Sequence, residues 1–153
     1  MENVVTLHSK STLVGSLKTE IKVREFHPFH IDEPVDFGGT DEAPNPMEYI
    51  LSGLNGCETV MAKMIAKELD IQIDHITIES SGDLDIRGLQ GNKEVSPYFQ
   101  GIKQHYVIET SADAEKIEEL FKVMKERCPA YNLMVAANIP VDITYSVNTP
   151  TAV

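Results

Sequence analysis

The feature that most constrains this chain is the stretch that opens with Asn45 and Pro46. Asparagine can accept hydrogen bonds from the free amides at the start of a helix, and proline costs nothing at the first helical position, where its missing donor would be unpaired in any case. Beyond it Ile50, Leu54, Cys57, Met61, Met64 and Ile65 recur at spacings of three and four, which predicts a long helix ending near Glu68 with one apolar stripe. Cys57 lies on that stripe, and by their spacing Met61 and Met64 read as core filler. Gly53 and Gly56 come just before Cys57, and each costs about 1 kcal/mol against alanine. Close approach of another helix, or of a dimer mate, is therefore expected on that half of the helix.

On either side the pattern predicts strands. Residues 4–8 and 17–24 are expected to form two of them around a turn at Gly15 and Ser16; in the second, Ile21 and Val23 alternate with Glu20, Lys22 and Arg24. Residues 32–46 carry three prolines and two adjacent glycines and read as an irregular loop. Ile76 with Ile78, and Leu84 with Ile86, predict two short strands about a turn at Gly82. Residues 87–101 read as a mobile connection to a strand over 104–109. A second helix, capped by Ser111 or Asp113, buries Ile117, Leu120, Phe121 and Met124 until Pro129 stops it, and Cys128 continues its face. Alternation from Ile139 to Val147 predicts the last strand. The class is α+β with mainly antiparallel strands, and with no repeat or linker a single domain over 1–153 is expected.

Composition narrows the function. A net charge of -11, from 24 acidic and 13 basic residues, repels phosphate backbones and anionic lipid, so neither nucleic acid nor a membrane is expected as partner. The amino terminus lacks the basic start and apolar run of a secretory signal, and charges interrupt every apolar segment, which points to a soluble cytoplasmic protein. Two cysteines are too few for a secreted disulfide scaffold; in a reducing compartment they are either inert or a working dithiol. There is no G-x-S-x-G, phosphate loop, C-x-x-C or H-E-x-x-H. His27 and His30, with Asp32 nearby, point to opposite faces of an extended chain, so no metal is expected, nor any other cofactor.

The segments DEPVDFGGTDEAPNPMEYILSGLNGC, GDLDIRG, CPAYNLM and IPVDITYSV together resemble the OsmC/Ohr family of thiol-dependent hydroperoxide reductases, over roughly residues 13–147. The resemblance implies an OsmC-like fold, mainly antiparallel sheets around two central helices in an intertwined homodimer. It also implies a peroxidatic thiol at Cys57, a resolving thiol at Cys128, a small hydroperoxide substrate and a dithiol reductant. The family's activating cation is an Arg from an early strand, for which Arg24 is the candidate, steadied by a Glu just after the helix-start proline. Met47 stands in the place of that Glu and Glu48 follows it, about 180° around a regular helix from Cys57.

Each of these residues also has a structural reading: buried apolar cysteines, a solvated Arg24 and a Glu48 favourable to the helix dipole. The leading function is reduction of organic hydroperoxides. The alternative is a non-peroxidatic OsmC-like redox sensor or a protein that binds a small hydrophobic ligand.

Overall fold

The computed structural model describes residues 3–149 and divides into two compact units, 1–50 and 51–153. In the first, β1 (Lys10–Leu13), β2 (Thr19–Lys22) and β3 (Phe29–Ile31) form an antiparallel sheet in that order. The turn expected at Gly15 is present, closed by Val14 N–H donating to Lys18 O at 2.9 Å. Its partners differ from the expectation: residues 4–8 form no strand, and β1 lies further along the chain. The reason is register. Lys10 pairs with Lys22, and just beyond Lys22 the chain turns through Val23 to Phe26, with Arg24 at a φ of 50°, so no strand remains for residues 4–8 to join.

The loop after β3 is irregular, as expected, but it is organised around one side chain. Asp32 is fully buried, and its carboxylate accepts from the backbone N–H groups of Glu33, Thr40 and Glu42 and from the Thr40 hydroxyl at 2.6 Å. Asn45 then caps α1 (Pro46–Glu68): its Oδ1 accepts from the backbone N–H of Met47 and Glu48, while the Glu48 carboxylate accepts from the Asn45 backbone N–H at 2.8 Å. This reciprocal capping box fixes where the helix begins.

Most of α1 belongs to the second unit, whose sheet has the order β4 (Ile73–Leu84), β5 (Phe99–Thr110), β6 (Val141–Asn148). β4 and β5 are antiparallel, whereas β5 and β6 are parallel. A parallel pair needs a crossover, and α3 (Ala114–Arg127) with α4 (Pro129–Ala136) supplies it. The fold is thus α+β with mostly antiparallel pairing and one parallel pair. Asp113, not Ser111, caps α3, accepting from Lys116 N–H at 2.9 Å. Pro129 ends α3 and also starts α4, a helix that the sequence pattern does not announce.

β4 runs straight through Gly82, so there is no turn there, and Ile86 belongs to the short helix α2 (Ile86–Leu89). Glycine is needed because a Cβ at this position would sit 2.6 Å from the ring of Phe99. The rest of GDLDIRG is a staple. Asp85 caps α2 and grips the Arg87 guanidinium, and Gly88 packs against the backbone of Ser96 and Pro97. The connection to β5 is thereby folded back on itself, and β5 starts at Phe99 rather than near 104.

The core of this unit follows from strict alternation along β5. Ile102, Gln104, Tyr106, Ile108 and Thr110 are its buried residues, and Tyr106 and Ile108 share one core cluster with Ala62, Ile65 and Ala66 of α1 and Ile117, Leu120, Phe121 and Met124 of α3. On α1 the buried face is rotated from the expected stripe. Leu54, Glu58, Ala62, Ile65 and Ala66 are inside and Cys57 and Met61 partly so, while Ile50 and Met64 are exposed. No atom lies within 4 Å of a Cβ built at Gly53 or Gly56, so neither glycine marks a close contact among the described residues.

Candidate active site: a paired thiol above a buried carboxyl

Two helical devices bring the cysteines together. Cys57 is carried by α1, three residues beyond the buried Leu54. Cys128 is both the residue after α3 and the one before α4; its backbone N–H donates to Met124 O and its carbonyl accepts from Asn132 N–H. The bidentate pair of Arg127 with Glu68 ties the end of α3 to the end of α1 next to this junction. The result is a Cys57 Sγ to Cys128 Sγ distance of 3.5 Å, with both thiols free.

Their surroundings differ. Cys57 is half-buried, whereas Cys128 has no exposed surface. Burial pushes the Cys128 thiol up to about 11, outweighing the opposite pull of the Tyr131 backbone N–H, and the Cys57 thiol and then Glu58 add smaller rises.

Behind the thiols lies a polar cluster that the sequence reading did not find. Glu58 is fully buried, and its Oε2 accepts from Gln104 Nε2 at 2.5 Å; the same amide reaches Asn55 Oδ1 at 3.3 Å. Tyr106, also fully buried, directs its hydroxyl to Met124 Sδ at 3.8 Å. Burial raises the Glu58 carboxyl above its ordinary value, outweighing Gln104, Tyr106 and Lys125. The phenol of Tyr106 is raised too, by burial first and by Glu58 second. The signal was present in the sequence: Glu58 falls four residues after Leu54 and seven before Ile65, on the helix face that is buried.

The other two expected site residues lie in the first unit. Arg24 is in the turn after β2, its guanidinium 4.6 Å from the centroid of the Phe26 ring. Glu48 closes the capping box already described. A cavity of about 360 Å³ opens on the outer face of the second unit's sheet, lined by groups such as Glu79, Lys103, His105 and Asp142 and by neither cysteine.

The family model described as OsmC-like protein matches residues 39–144, from the loop before α1 into β6. This chain belongs to the OsmC-like family. No curated protein matches it, but solved structures do. An OsmC-like protein from Mycoplasma pneumoniae superposes with a TM-score of 0.81 at 18% identity, covering 94% of this chain and 97% of that one. An organic hydroperoxide resistance protein from Elizabethkingia anophelis gives 0.75 at 20% identity, over 97% and 100%. The organic hydroperoxide resistance protein OsmC from Legionella pneumophila gives 0.70 at 20%, over 95% and 98%. At such identities these likenesses establish the OsmC-like fold. Among the described residues no helix is long and apolar enough to cross a membrane.

Proposed function

We propose that this OsmC-like protein reduces organic hydroperoxides, with Cys57 as the attacking thiol and Cys128 as the resolving one. The observation that carries the reading is the 3.5 Å approach of the two sulfurs. A Cys57 thiolate attacks the distal peroxide oxygen, the O–O bond breaks, the alcohol departs with a proton, and Cys57 becomes a sulfenic acid. Cys128 then attacks that sulfur; the S–S bond forms, the S–O bond breaks, and the oxygen leaves as water carrying the thiol proton. A dithiol reductant restores both thiols by exchange. The assignment of roles rests on exposure, since Cys57 has accessible surface for a substrate and Cys128 has none. The apolar core beside Cys57 favours alkyl or fatty hydroperoxides.

In this reading Arg24 is the cation that favours the thiolate and Glu48 the carboxylate that steadies it. The protein acts in the reducing cytoplasm as a homodimer. The dimer is supported by the uncovered side of α1, where Val60 and Met64 are more than half exposed beside Gly53 and Gly56. The test is consumption of cumene hydroperoxide with dithiothreitol as reductant. Turnover that exceeds turnover of hydrogen peroxide and is abolished in Cys57→Ser supports the reading. Unchanged turnover in that variant sinks it; a reactive Cys57 without turnover turns the assignment to a redox sensor, and slow oxidation of Cys57 by both peroxides turns it to a ligand-binding protein.

A further inference from the structure

The cluster behind the thiols contains an imbalance of hydrogens. Glu58 Oε2 receives the Gln104 amide, but Glu58 Oε1 and Gln104 Oε1 are both buried and without a hydrogen-bond partner. As a carboxylate beside an amide carbonyl, Glu58 adds no donor for these two acceptors, and the single hydroxyl of Tyr106, directed to Met124 Sδ, can fill at most one of them. Buried polar groups left unpaired are costly, and a buried charge without a cation in contact costs more. One proton on Oε1 changes the count. A carboxylic acid and a primary amide are complementary, each giving one donor and one acceptor, so a neutral Glu58 has a hydrogen to offer where the carboxylate has none.

The charged and titratable groups around this position are few: Cys57 next to it in the chain, Gln104 and Tyr106 from β5, Cys128 and Tyr131 from the α3–α4 junction, and Lys125 of α3 acting at longer range. Of these, Lys125 alone carries a permanent positive charge. An ionised Glu58 would therefore oppose the departure of the Tyr106 proton and of the Cys128 proton.

We propose that Glu58 is a positioning residue for the dithiol, held as a neutral acid against Gln104 so that no negative charge stands behind Cys128 when that thiol closes the disulfide. This rests on the reductase reading for its purpose but not for its measurement. The experiment is a carbon-13 NMR titration of the reduced protein labelled at the glutamate carboxyl and cysteine Cβ carbons, with no peroxide present. One carboxyl should remain protonated at neutral pH and lose its proton only as the pH rises; its signal should vanish in Glu58→Gln, and, because Glu58 is ionised by the time Cys128 titrates, the Cys128 midpoint should move to lower pH in that variant. A merely structural Glu58 would leave the Cys128 titration unmoved. If every glutamate of the unmodified protein titrates in the ordinary carboxylate range, the proposal is overturned without recourse to any variant. A neutral Glu58 in a protein without turnover would remove the reductase reading alone; an ionised one in an active peroxidase would remove this proposal alone.

Discussion

The Sγ atoms of Cys57 and Cys128 stand 3.5 Å apart across a separation of 71 residues. A disulfide needs about 2.05 Å, so a movement of about 1.5 Å joins them, within reach of side-chain rotation. Mild oxidation is accordingly expected to give an intramolecular disulfide, seen in the intact mass as the loss of two hydrogens. Cys128→Ser should stop at the sulfenic acid of Cys57, which dimedone captures. Equal dimedone capture in the unmodified protein and the variant would show that the sulfurs do not meet during oxidation.

The buried thiol sets an alkaline limit on stability. Cys128 is raised from 9.0 to about 11 in the folded chain. Between these values the unfolded chain has released a proton that the folded chain still holds, so stability must fall as pH rises through that window. Urea unfolding at neutral pH and at pH about 10 should show the decline, and Cys128→Ala should make it shallower, the raised phenol of Tyr106 keeping its own part. The slope is the readout, because the variant also loses packing at every pH.

The start of α1 separates a structural carboxylate from a chemical one. Removing the cap in Asn45→Ala should cost about 1 kcal/mol in thermal or urea unfolding. Glu48→Gln keeps an acceptor for the Asn45 N–H and so preserves the capping box. A large loss of peroxide turnover in Glu48→Gln at intact stability would assign the carboxylate a part in the chemistry. Unaltered turnover would place the carboxylate outside the chemistry.

How far the sequence revealed this arrangement depended on whether a residue had one physical meaning or two. Asn45 with Pro46, the apolar face of α3 and the alternation of β6 each had one, and each element lies where expected. Pro129 had two, and its fitness as a helix stop hid its fitness as the first residue of α4, the same role as Pro46. Gly82 also had two. It suits a turn, but here it is the gap in β4 that admits the Phe99 ring. The pairing of β6 beside β5 is set by a crossover that alternation within a strand does not encode. Both cysteines were legible as candidates, since each continued a helical face. Glu58 was not, because a charged side chain is by default assigned to solvent, and its partner Gln104 lies on another element.

The contact between Gly82 and Phe99 turns that double meaning into a test. A Cβ at position 82 would lie 2.6 Å from Phe99 Cε1, 2.7 Å from Phe99 Cδ1 and 3.4 Å from Leu51 Cδ2. Phe99 is almost wholly buried, so its ring has little free space to retreat into. Gly82→Ala is therefore expected to destabilise the fold by about 1–3 kcal/mol, the range for overpacking a filled site, even though alanine suits a strand better than glycine. Pairing it with Phe99→Leu should recover part of that loss, since the smaller side chain vacates the space, and Phe99→Leu alone should be destabilising through the cavity it leaves. A double-mutant cycle by urea unfolding measures the coupling. Additive effects would mean that something other than the ring fixes glycine at this place in β4.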